Sequence, residues 1–525
     1  PLFKEDKNMG FMDELKQIIV SDYQYTYTEN GAKVYSSTGN DLLDLNYAVS
    51  SMRNMSAGEI VGKFVKALMY DERLAIKWLF YAGDVRGGLG ERRLFKICLW
   101  YLAETRPDTV KKLLTLVAEY TRYDNLFVLL DGALSDDVCR LIEKRLDADE
   151  KAMLDGKPVS LLAKWLPSVQ TVDEDKKKYL AIILKKLGLT KAEYRRKLSM
   201  FREYMKVTER LMSAGEWDEI VYSAVPSKAG LIYRNAFLKH DEERRRKYLD
   251  DLKSGKETIN STVLFPYEVV HKYYGRTMLA EELYFGLANW NDGVIDESLE
   301  QMWKALPDYG STLCVSDGSG SMLCKIGRTK ISAIEVANSL AIYFAERAGG
   351  QFKDKFITFS HNPQLVDMSK ATSLAEKITI ARSYNEISDT NIEAVFDLIL
   401  KTAVNCKVKA EDVPANVLIL SDMEFNDCAA DSSGQSVGED APLFDVIAEK
   451  YKAAGIRMPR LIFWNLNGRT LGVPVRTNEK GLAFVSGFSP AACRMVLCGE
   501  LDPLQCLLSV LNDKRYEKVD NALIG

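Results

Sequence analysis

The 525-residue sequence has only three histidines, His240, His271 and His361, which stand far apart along the chain. A zinc site built on histidine is therefore not expected. The nine cysteines form no Cys-x-x-Cys pair, and their odd number argues against a complete set of disulfides. Most of them stand within apolar runs, so we predict buried free thiols in a reducing compartment.

Long apolar segments are also missing. No run of about 18 apolar residues occurs, which argues against a membrane-spanning helix. No N-terminal apolar stretch follows a basic region, which argues against a signal peptide. We therefore expect a cytoplasmic protein with no membrane partner. The formal net charge is −4, so any site for a polyanion must be a local patch.

The spacing of apolar residues divides the sequence into an all-α part and an α/β part. In residues 1–307 they recur at every third or fourth position, as at Ile60 and Phe64, which predicts helix after helix. We expect this part to be an irregular HEAT-like α-helical repeat domain, a ring or solenoid. In residues 308–525, short runs rich in Val, Ile and Phe alternate with helical segments. This alternation predicts a doubly wound, Rossmann-like domain with a parallel sheet.

The α/β part contains six predicted strands and five predicted helices. The strands are placed at 312–316, 352–359, 364–366, 416–421, 460–464 and 482–485. The helices are placed at about 330–347, 373–382, 392–402, 442–454 and 490–498.

Five oxygen-bearing side chains in the α/β part form a candidate site for a divalent metal: Asp317, Ser319, Ser321, Thr390 and Asp422. Asp317 follows the first predicted strand, Asp422 follows the run Val-Leu-Ile-Leu-Ser, and Thr390 precedes a helix. Doubly wound sheets bind ligands at this carboxyl edge of the strands. Two carboxylates and three hydroxyls suit Mg²⁺ or Mn²⁺. Since only two ligands are charged, we expect the ion to take a further anionic ligand from outside the chain.

Rival interpretations of the run from Asp317 fit less well. A calcium EF-hand loop would need glycine where Met322 stands and glutamate where Arg328 stands. A dinucleotide-binding loop would need a third glycine in place of Leu323. A polar loop cluster that holds no ion remains the alternative.

A basic segment, residues 175–210, carries twelve basic and four acidic side chains. Several of the basic residues can share a helix face, and Tyr194 and Tyr204 offer aromatic planes among them, which suits RNA. The alternative is a solvated helix face whose cations pair with neighbouring glutamates. The candidate RNA-binding residues are Lys176, Lys177, Lys178, Arg195, Arg196, Arg202, Lys206 and Arg210.

The run Gly83-Asp-Val-Arg-Gly-Gly-Leu-Gly-Glu-Arg-Arg-Leu-Phe95 predicts a sharp turn between two helices. Its glycines permit close backbone approach. Glu91 is expected to start the second helix, where a negative charge is favourable. The three arginines of the run are expected to pair with acids or to face RNA.

These motifs resemble two known families. Asp317-x-Ser319-x-Ser321, followed by Thr390 and by Ser-Asp at Asp422, resembles the metal-ion-dependent adhesion site of von Willebrand factor A domains. The glycine-rich run that begins at Gly83 resembles the signature of TROVE modules of the Ro autoantigen family. Further runs resemble a related, less-characterised family that joins a TROVE-like part to an A domain; they lie at 119–124, 162–167, 225–229, 233–237, 264–267 and 421–425.

The resemblance implies an RNA-binding, ring-shaped protein of Ro type, either a ribonucleoprotein component or a factor in RNA quality control. Structured small RNA or single-stranded RNA ends would be its ligands. The metal would serve as a docking site for a protein partner that donates Asp or Glu. The alternative is a metal-dependent protein-interaction scaffold without RNA binding. We expect no enzymatic activity and no catalytic residue; a Mg²⁺-dependent nuclease with Glu424 as base is the less favoured third possibility.

Overall fold

The structure is a computed structural model. It describes residues 25–274, 294–308, 312–327, 329–359, 361–384, 386, 389–405, 416–426, 443–469, 472–473, 482–489, 492 and 502–524. Within these ranges, no helix is both long and apolar enough to cross a membrane. The helix predicted at 490–498 lies outside the described residues, apart from Ala492.

The first part of the chain is a succession of helices joined by short turns, as predicted. Ser56 and Glu59 form a reciprocal capping box at the start of one helix, and Pro107 is the first residue of another. The helices are α1 (Asp41–Tyr47), α2 (Ala57–Tyr70), α3 (Glu72–Gly83), α4 (Arg92–Thr105), α5 (Pro107–Tyr120), α6 (Ser135–Leu154), α7 (Leu162–Trp165), α8 (Glu174–Leu187), α9 (Lys191–Tyr204), α10 (Thr208–Ala214), α11 (Ser227–His240), α12 (Glu242–Lys253), α13 (Pro266–Tyr274) and α14 (Glu297–Lys304).

This part is not helical throughout, because residues 25–35 form an antiparallel hairpin. Strand β1 (Tyr25–Tyr27) pairs with strand β2 (Lys33–Tyr35). The prediction of helix across this segment was wrong. Its alternating tyrosine, threonine and valine residues favour strands, and the turn contains Asn30-Gly31, a strong short-range hairpin signal. Gly31 has a φ of 96°, a backbone conformation that residues with a side chain rarely adopt.

The second part contains a six-stranded sheet with the order β5-β4-β3-β6-β7-β8. The strands are β3 (Leu313–Asp317), β4 (Lys355–Phe359), β5 (Gln364–Asp367), β6 (Asn416–Ser421), β7 (Arg460–Asn465) and β8 (Leu482–Ser486). Neighbouring strands are parallel except for β4 and β5, which are antiparallel. The sheet is therefore mixed rather than fully parallel, because too few residues separate β4 from β5 for a crossover helix.

Six helices of the described residues belong to this second part of the chain. They are α15 (Ala333–Arg347), α16 (Leu374–Ser383), α17 (Ile392–Asn405), α18 (Leu443–Ala453), α19 (Pro503–Leu511) and α20 (Glu517–Ile524). Helix α15 is buried along nearly its whole length and packs against β3, β4 and β6. Strand β4 lies beside β3 on one side, and β6, which comes later in the chain, lies beside β3 on the other side. A topological switch point, where such folds bind ligands, therefore lies between β3 and β6.

The last two helices return to the all-α part of the chain. Helix α20 packs against α3 and α5, and α19 packs against α3 and β8. The buried Lys77 ammonium lies 2.7 Å from Asp520 Oδ2. Arg515 forms a two-point ion pair with the fully buried Asp84, with Nη2 2.7 Å from Oδ1. Residues of the two parts thus share one continuous hydrophobic core.

The glycine-rich run that begins at Gly83 forms the turn between α3 and α4. Glu91 is the residue before α4, as predicted from the helix-start pattern, and its side chain pairs with Arg53. The arginines contact the chain's own groups. Arg92 lies 3.2 Å from Asp124, and Arg93 donates to two backbone carbonyl groups. The contacts in this run are therefore structural.

Candidate functional site

The two carboxylates of the candidate metal site lie at the ends of adjacent strands. Asp317 is the last residue of β3, and Asp422 follows the last residue of β6. These strands are parallel neighbours, with Ser316 level with Leu420. Both aspartate side chains are fully buried. The predicted juxtaposition at the switch point is therefore present.

Asp317 is held by two hydrogen bonds from its neighbours. Its Oδ1 accepts the backbone N–H of Ser319 at 2.9 Å, and its Oδ2 accepts the hydroxyl of Ser421 at 2.5 Å. Burial raises the pKa of Asp317, and these hydrogen bonds act in the opposite direction. Ser421 was not among the predicted site residues, although it stands directly before Asp422. Its role here is to orient the Asp317 carboxylate.

Asp422 has an unusual environment for a buried carboxylate. Its Oδ2 is buried and makes no hydrogen bond to any described residue, and Arg469 Nη2 lies 3.4 Å from it. Burial raises the pKa of Asp422 to about 7, and the charge of Asp317 adds to the effect. Arg469 and a hydrogen bond with Ser321 lower it in part. A second positive charge beside this oxygen would relieve both the burial penalty and the repulsion.

The serine hydroxyls lie at the same place as the carboxylates. Ser319 Oγ and Ser321 Oγ are 3.2 Å apart, and Ser321 reaches Asp422. Within the described residues, no group of three or more His, Cys, Asp or Glu side chains is arranged to hold a metal ion. The candidate site therefore depends on its hydroxyls, and its donors are all hard oxygen atoms. That donor set fits Mg²⁺ or Mn²⁺.

Thr390 joins this cluster through the hairpin turn. The side-chain amide of Asn30 donates to Thr390 Oγ1 at 3.2 Å and to the carbonyl oxygen of Glu424 at 2.5 Å. Thr390 itself is buried, and its carbonyl oxygen accepts the backbone N–H of Asn426 at 3.1 Å. Asn30 thus links Thr390 to Glu424, two residues after Asp422.

Glu424 links two other segments of the chain to this edge of the sheet. Its Oε2 accepts the backbone N–H of Glu29 at 2.7 Å, and its Oε1 accepts the backbone N–H of Arg469 at 2.9 Å. The intervening Met423 is buried and has a φ of 66°, in the left-handed region that favours glycine. This strained residue lets Asp422 and Glu424 take up their separate positions.

Most of the predicted RNA-binding residues in the segment 175–210 are committed to partners within the chain. Lys176, Lys177, Lys178, Lys206 and Arg210 each lie within ion-pair distance of a carboxylate. Tyr194 is buried and donates to the carbonyl oxygen of Pro167 at 2.9 Å, so the expectation that its ring is available for stacking was wrong. Tyr204 is partly exposed, and its hydroxyl donates to the carbonyl oxygen of Lys157 at 3.0 Å.

A smaller cationic pocket remains on this surface. Arg195, Arg202 and Arg210 line it together with Ser168, Gln170 and Ser199. Arg202 donates to the carbonyl oxygens of Ala163 and Leu166 and to Ser168 Oγ, at distances between 2.9 and 3.0 Å. All three acceptors are uncharged, and burial lowers the pKa of Arg202. Arg195 is exposed and has no ion pair among the described residues.

Comparison with known proteins relates both parts of the chain to uncharacterised families. Residues 311–518 match the family model of a domain of unknown function, DUF7788, and residues 184–311 match another, DUF2828. Uncharacterized protein L728 of Acanthamoeba polyphaga mimivirus is 28% identical over 526 residues, which cover 93% of this chain and 87% of that protein.

A solved structure, that of the Ro (RSR) protein of Deinococcus radiodurans, is similar over 89% of this chain and 99% of its own. The TM-score is 0.38 and the identity is 14%, a degree of likeness from which we draw no conclusion. The resemblance to TROVE modules and to the von Willebrand factor A domain therefore stays a prediction, and the chain is one with regions similar to DUF2828 and DUF7788.

Proposed function

We propose that the protein is a divalent-metal-dependent docking protein. An ion of Mg²⁺ or Mn²⁺ would be held by Asp317, Ser319, Ser321, Thr390 and Asp422, and it would accept an acidic side chain from a protein partner. The observation that carries this proposal is the buried Oδ2 of Asp422, which has no hydrogen-bond partner in the part of the chain that the structure describes and stands beside a second buried carboxylate. Two carboxylates balance the charge of the ion but leave room for an external oxygen ligand.

The surroundings of the site favour docking over hydrolysis. A metal-dependent nuclease needs a base or a water-positioning group with a free oxygen near the ion. Glu424 is the acidic residue in the right place, but each of its oxygens accepts a backbone N–H. It is therefore better suited to hold the surrounding loops than to accept a proton.

Metal binding is tested by the thermal stability of Asp422→Asn. We expect Mn²⁺ to stabilise the wild type by about 2.7 kcal/mol at a concentration 100 times the Kd, and we expect this stabilisation to be lost in the variant. In metal-free buffer the variant should be at least as stable as the wild type near neutral pH. Burial raises the folded-state pKa of Asp422 to about 7, so its charged form costs stability above the unfolded pKa, and an amide removes that cost.

The measurement is the melting temperature with MnCl₂, with MgCl₂, and with NaCl at matched ionic strength. Asp218→Asn is the control. Asp218 is exposed and lies in the all-α part, so this substitution removes the same charge away from the site. An equal metal-dependent rise in Asp422→Asn would contradict the assignment.

A second function, RNA binding in a ring-shaped protein of Ro type, is favoured by the cationic pocket. Among the described residues, the partly buried Arg202 bonds only to uncharged acceptors, and Arg195 beside it is exposed. A phosphate oxygen is an anion that would complement both guanidinium groups. The paired lysines of the segment 175–210 could add to the attraction only by exchanging their present partners.

For Arg195→Glu we expect the affinity for RNA to fall by a similar factor for all RNA sequences, because contacts with phosphate do not distinguish one base from another. The slope of log affinity against log salt should fall by about one for the contact removed. The measurement is fluorescence anisotropy with a labelled single-stranded RNA and a labelled hairpin, between about 50 and 200 mM salt. Lys247→Glu, an equal charge change on the exposed face of α12, is the control. The absence of salt-sensitive binding in the wild type would exclude this function.

A further inference from the structure

The turn of the N-terminal hairpin lies across the candidate metal site. Thr28 Oγ1 donates to the carbonyl oxygen of Phe425 at 2.6 Å, and Gly31 forms an antiparallel bridge with Asn426. Asn30 adds the two hydrogen bonds to Thr390 and Glu424 described above. A segment almost 400 residues away in sequence thus packs directly on the loop that carries Asp422.

Glu29 lies at the tip of this turn, and its carboxylate lies beside the candidate site. Its carboxylate pairs with Nη2 of Arg469, and the same nitrogen lies 3.4 Å from Oδ2 of Asp422. One guanidinium nitrogen therefore separates Glu29 from a predicted metal ligand. The Glu29 side chain is 57% exposed, whereas Asp422 is fully buried. The outer carboxylate of this row can be replaced from solvent, and the inner one cannot.

The arrangement matches what an acid-docking metal site would need from its surroundings. A divalent ion at Asp422 would take over the neutralisation that Arg469 now provides, and Arg469 would then be available for an anion further out. An incoming carboxylate would meet two positive charges, the ion and the guanidinium. Glu29, an acidic group of the chain itself, already occupies the place beside Arg469 that such a carboxylate would take.

We propose that Arg469 is the residue that selects an acidic ligand at this site, and that Glu29 occupies the ligand's position until a partner displaces it. The partner would be a protein that presents a glutamate or aspartate on an exposed loop. This inference rests on the proposed metal-dependent docking function. It adds that the site binds an external acid only in those molecules from which Glu29 has withdrawn.

The test uses the full chain with Mn²⁺ and a fluorescein-labelled peptide, Gly-Ser-Gly-Glu-Gly-Ser-Gly, with the glutamine version as the matched peptide. If Glu29 holds the position in about nine molecules of ten, Glu29→Gln should tighten binding of the glutamate peptide about tenfold, because apparent affinity scales with the competent fraction. Arg469→Met should abolish that binding with or without Glu29. Glu219→Gln is the control, because the Glu219 side chain is 56% exposed, close to the 57% of Glu29, and it also pairs with a cation, Lys206.

The outcomes separate this inference from the function on which it rests. Equal metal-dependent binding of the glutamate peptide to the wild type and to Glu29→Gln would leave docking intact and overturn the role of Glu29. Undiminished binding to Arg469→Met would overturn the role of Arg469. If Mn²⁺ fails to raise the melting temperature of the wild type, the metal site itself is wrong. Binding of the glutamine peptide as tightly as the glutamate peptide would overturn acid selection.

Discussion

Arg515→Met is expected to lower the free energy of unfolding by about 3–5 kcal/mol, the range for removing one partner of a buried ion pair. Asp84 is fully buried, and both its oxygens accept from the Arg515 guanidinium, while the hydroxyl of Tyr516 lies 3.1 Å from Oδ2. Methionine would fill similar space but would leave the carboxylate buried without a counter-charge. The measurement is urea denaturation followed by circular dichroism.

Arg73→Met is the matched control for this prediction. Arg73 also joins the all-α part to the C-terminal helices, through Asp520, but its side chain is 55% exposed. Exposed pairs contribute about 0–1 kcal/mol, and Lys77 would remain beside Asp520. Equal losses in Arg515→Met and Arg73→Met would show that burial of Asp84 does not govern the effect.

Gly88→Ala is expected to destabilise the protein by about 3 kcal/mol, at the upper end of overpacking costs. An added Cβ would lie 2.0 Å from the backbone oxygen of Tyr81 and 3.0 Å from the Cβ of Asp84. The Tyr81 oxygen cannot move away freely, because it accepts the N–H of Leu89 at 3.0 Å. The substitution would therefore open the turn between α3 and α4 and disturb the Asp84 pair as well.

Gly62→Ala tests whether this effect belongs to the site or to glycine in general. Gly62 lies inside α2, and an added Cβ there would meet nothing within 4 Å. Alanine in a helix interior is favoured over glycine by about 1 kcal/mol, so we expect a small gain in melting temperature. Comparable losses in both variants would contradict the steric argument at Gly88.

The strands and helices of the α/β part could be predicted from sequence, because the spacing of apolar residues and the local composition determine where each element forms. Strand β6 has the predicted ends, Asn416–Ser421, and its apolar run is buried on both faces of the sheet. The antiparallel pairing of β5 was not predicted, because it depends on the short connection from β4. The hairpin at 25–35 was also missed, although Asn30-Gly31 between tyrosine-rich strands carried the signal.

The candidate metal ligands could be predicted because each follows or precedes an element with a clear boundary. Their neighbours could not, because the contacts join remote segments. Asn30 and Glu29 lie about 395 residues from Glu424 in sequence, and no local pattern connects them. The ion pairs of the basic segment could not be predicted for a related reason. Lys178 pairs with Asp131, in a turn, and Lys197 pairs with Glu150, in α6; the composition of the segment does not reveal these acids.

The crossing of the two chain ends has a consequence for how the protein is made. Asp84 is synthesised 431 residues before Arg515, its ion-pair partner. The hairpin that packs on the loop after β6 is likewise synthesised almost 400 residues before that loop. A fragment cut near residue 307 would therefore lack the ion-pair partner of Asp84, and its complement would lack the hairpin that packs on the loop after β6. We expect the Asp84 ion pair, and the packing of the last two helices on the all-α part, to form only after translation has passed Arg515.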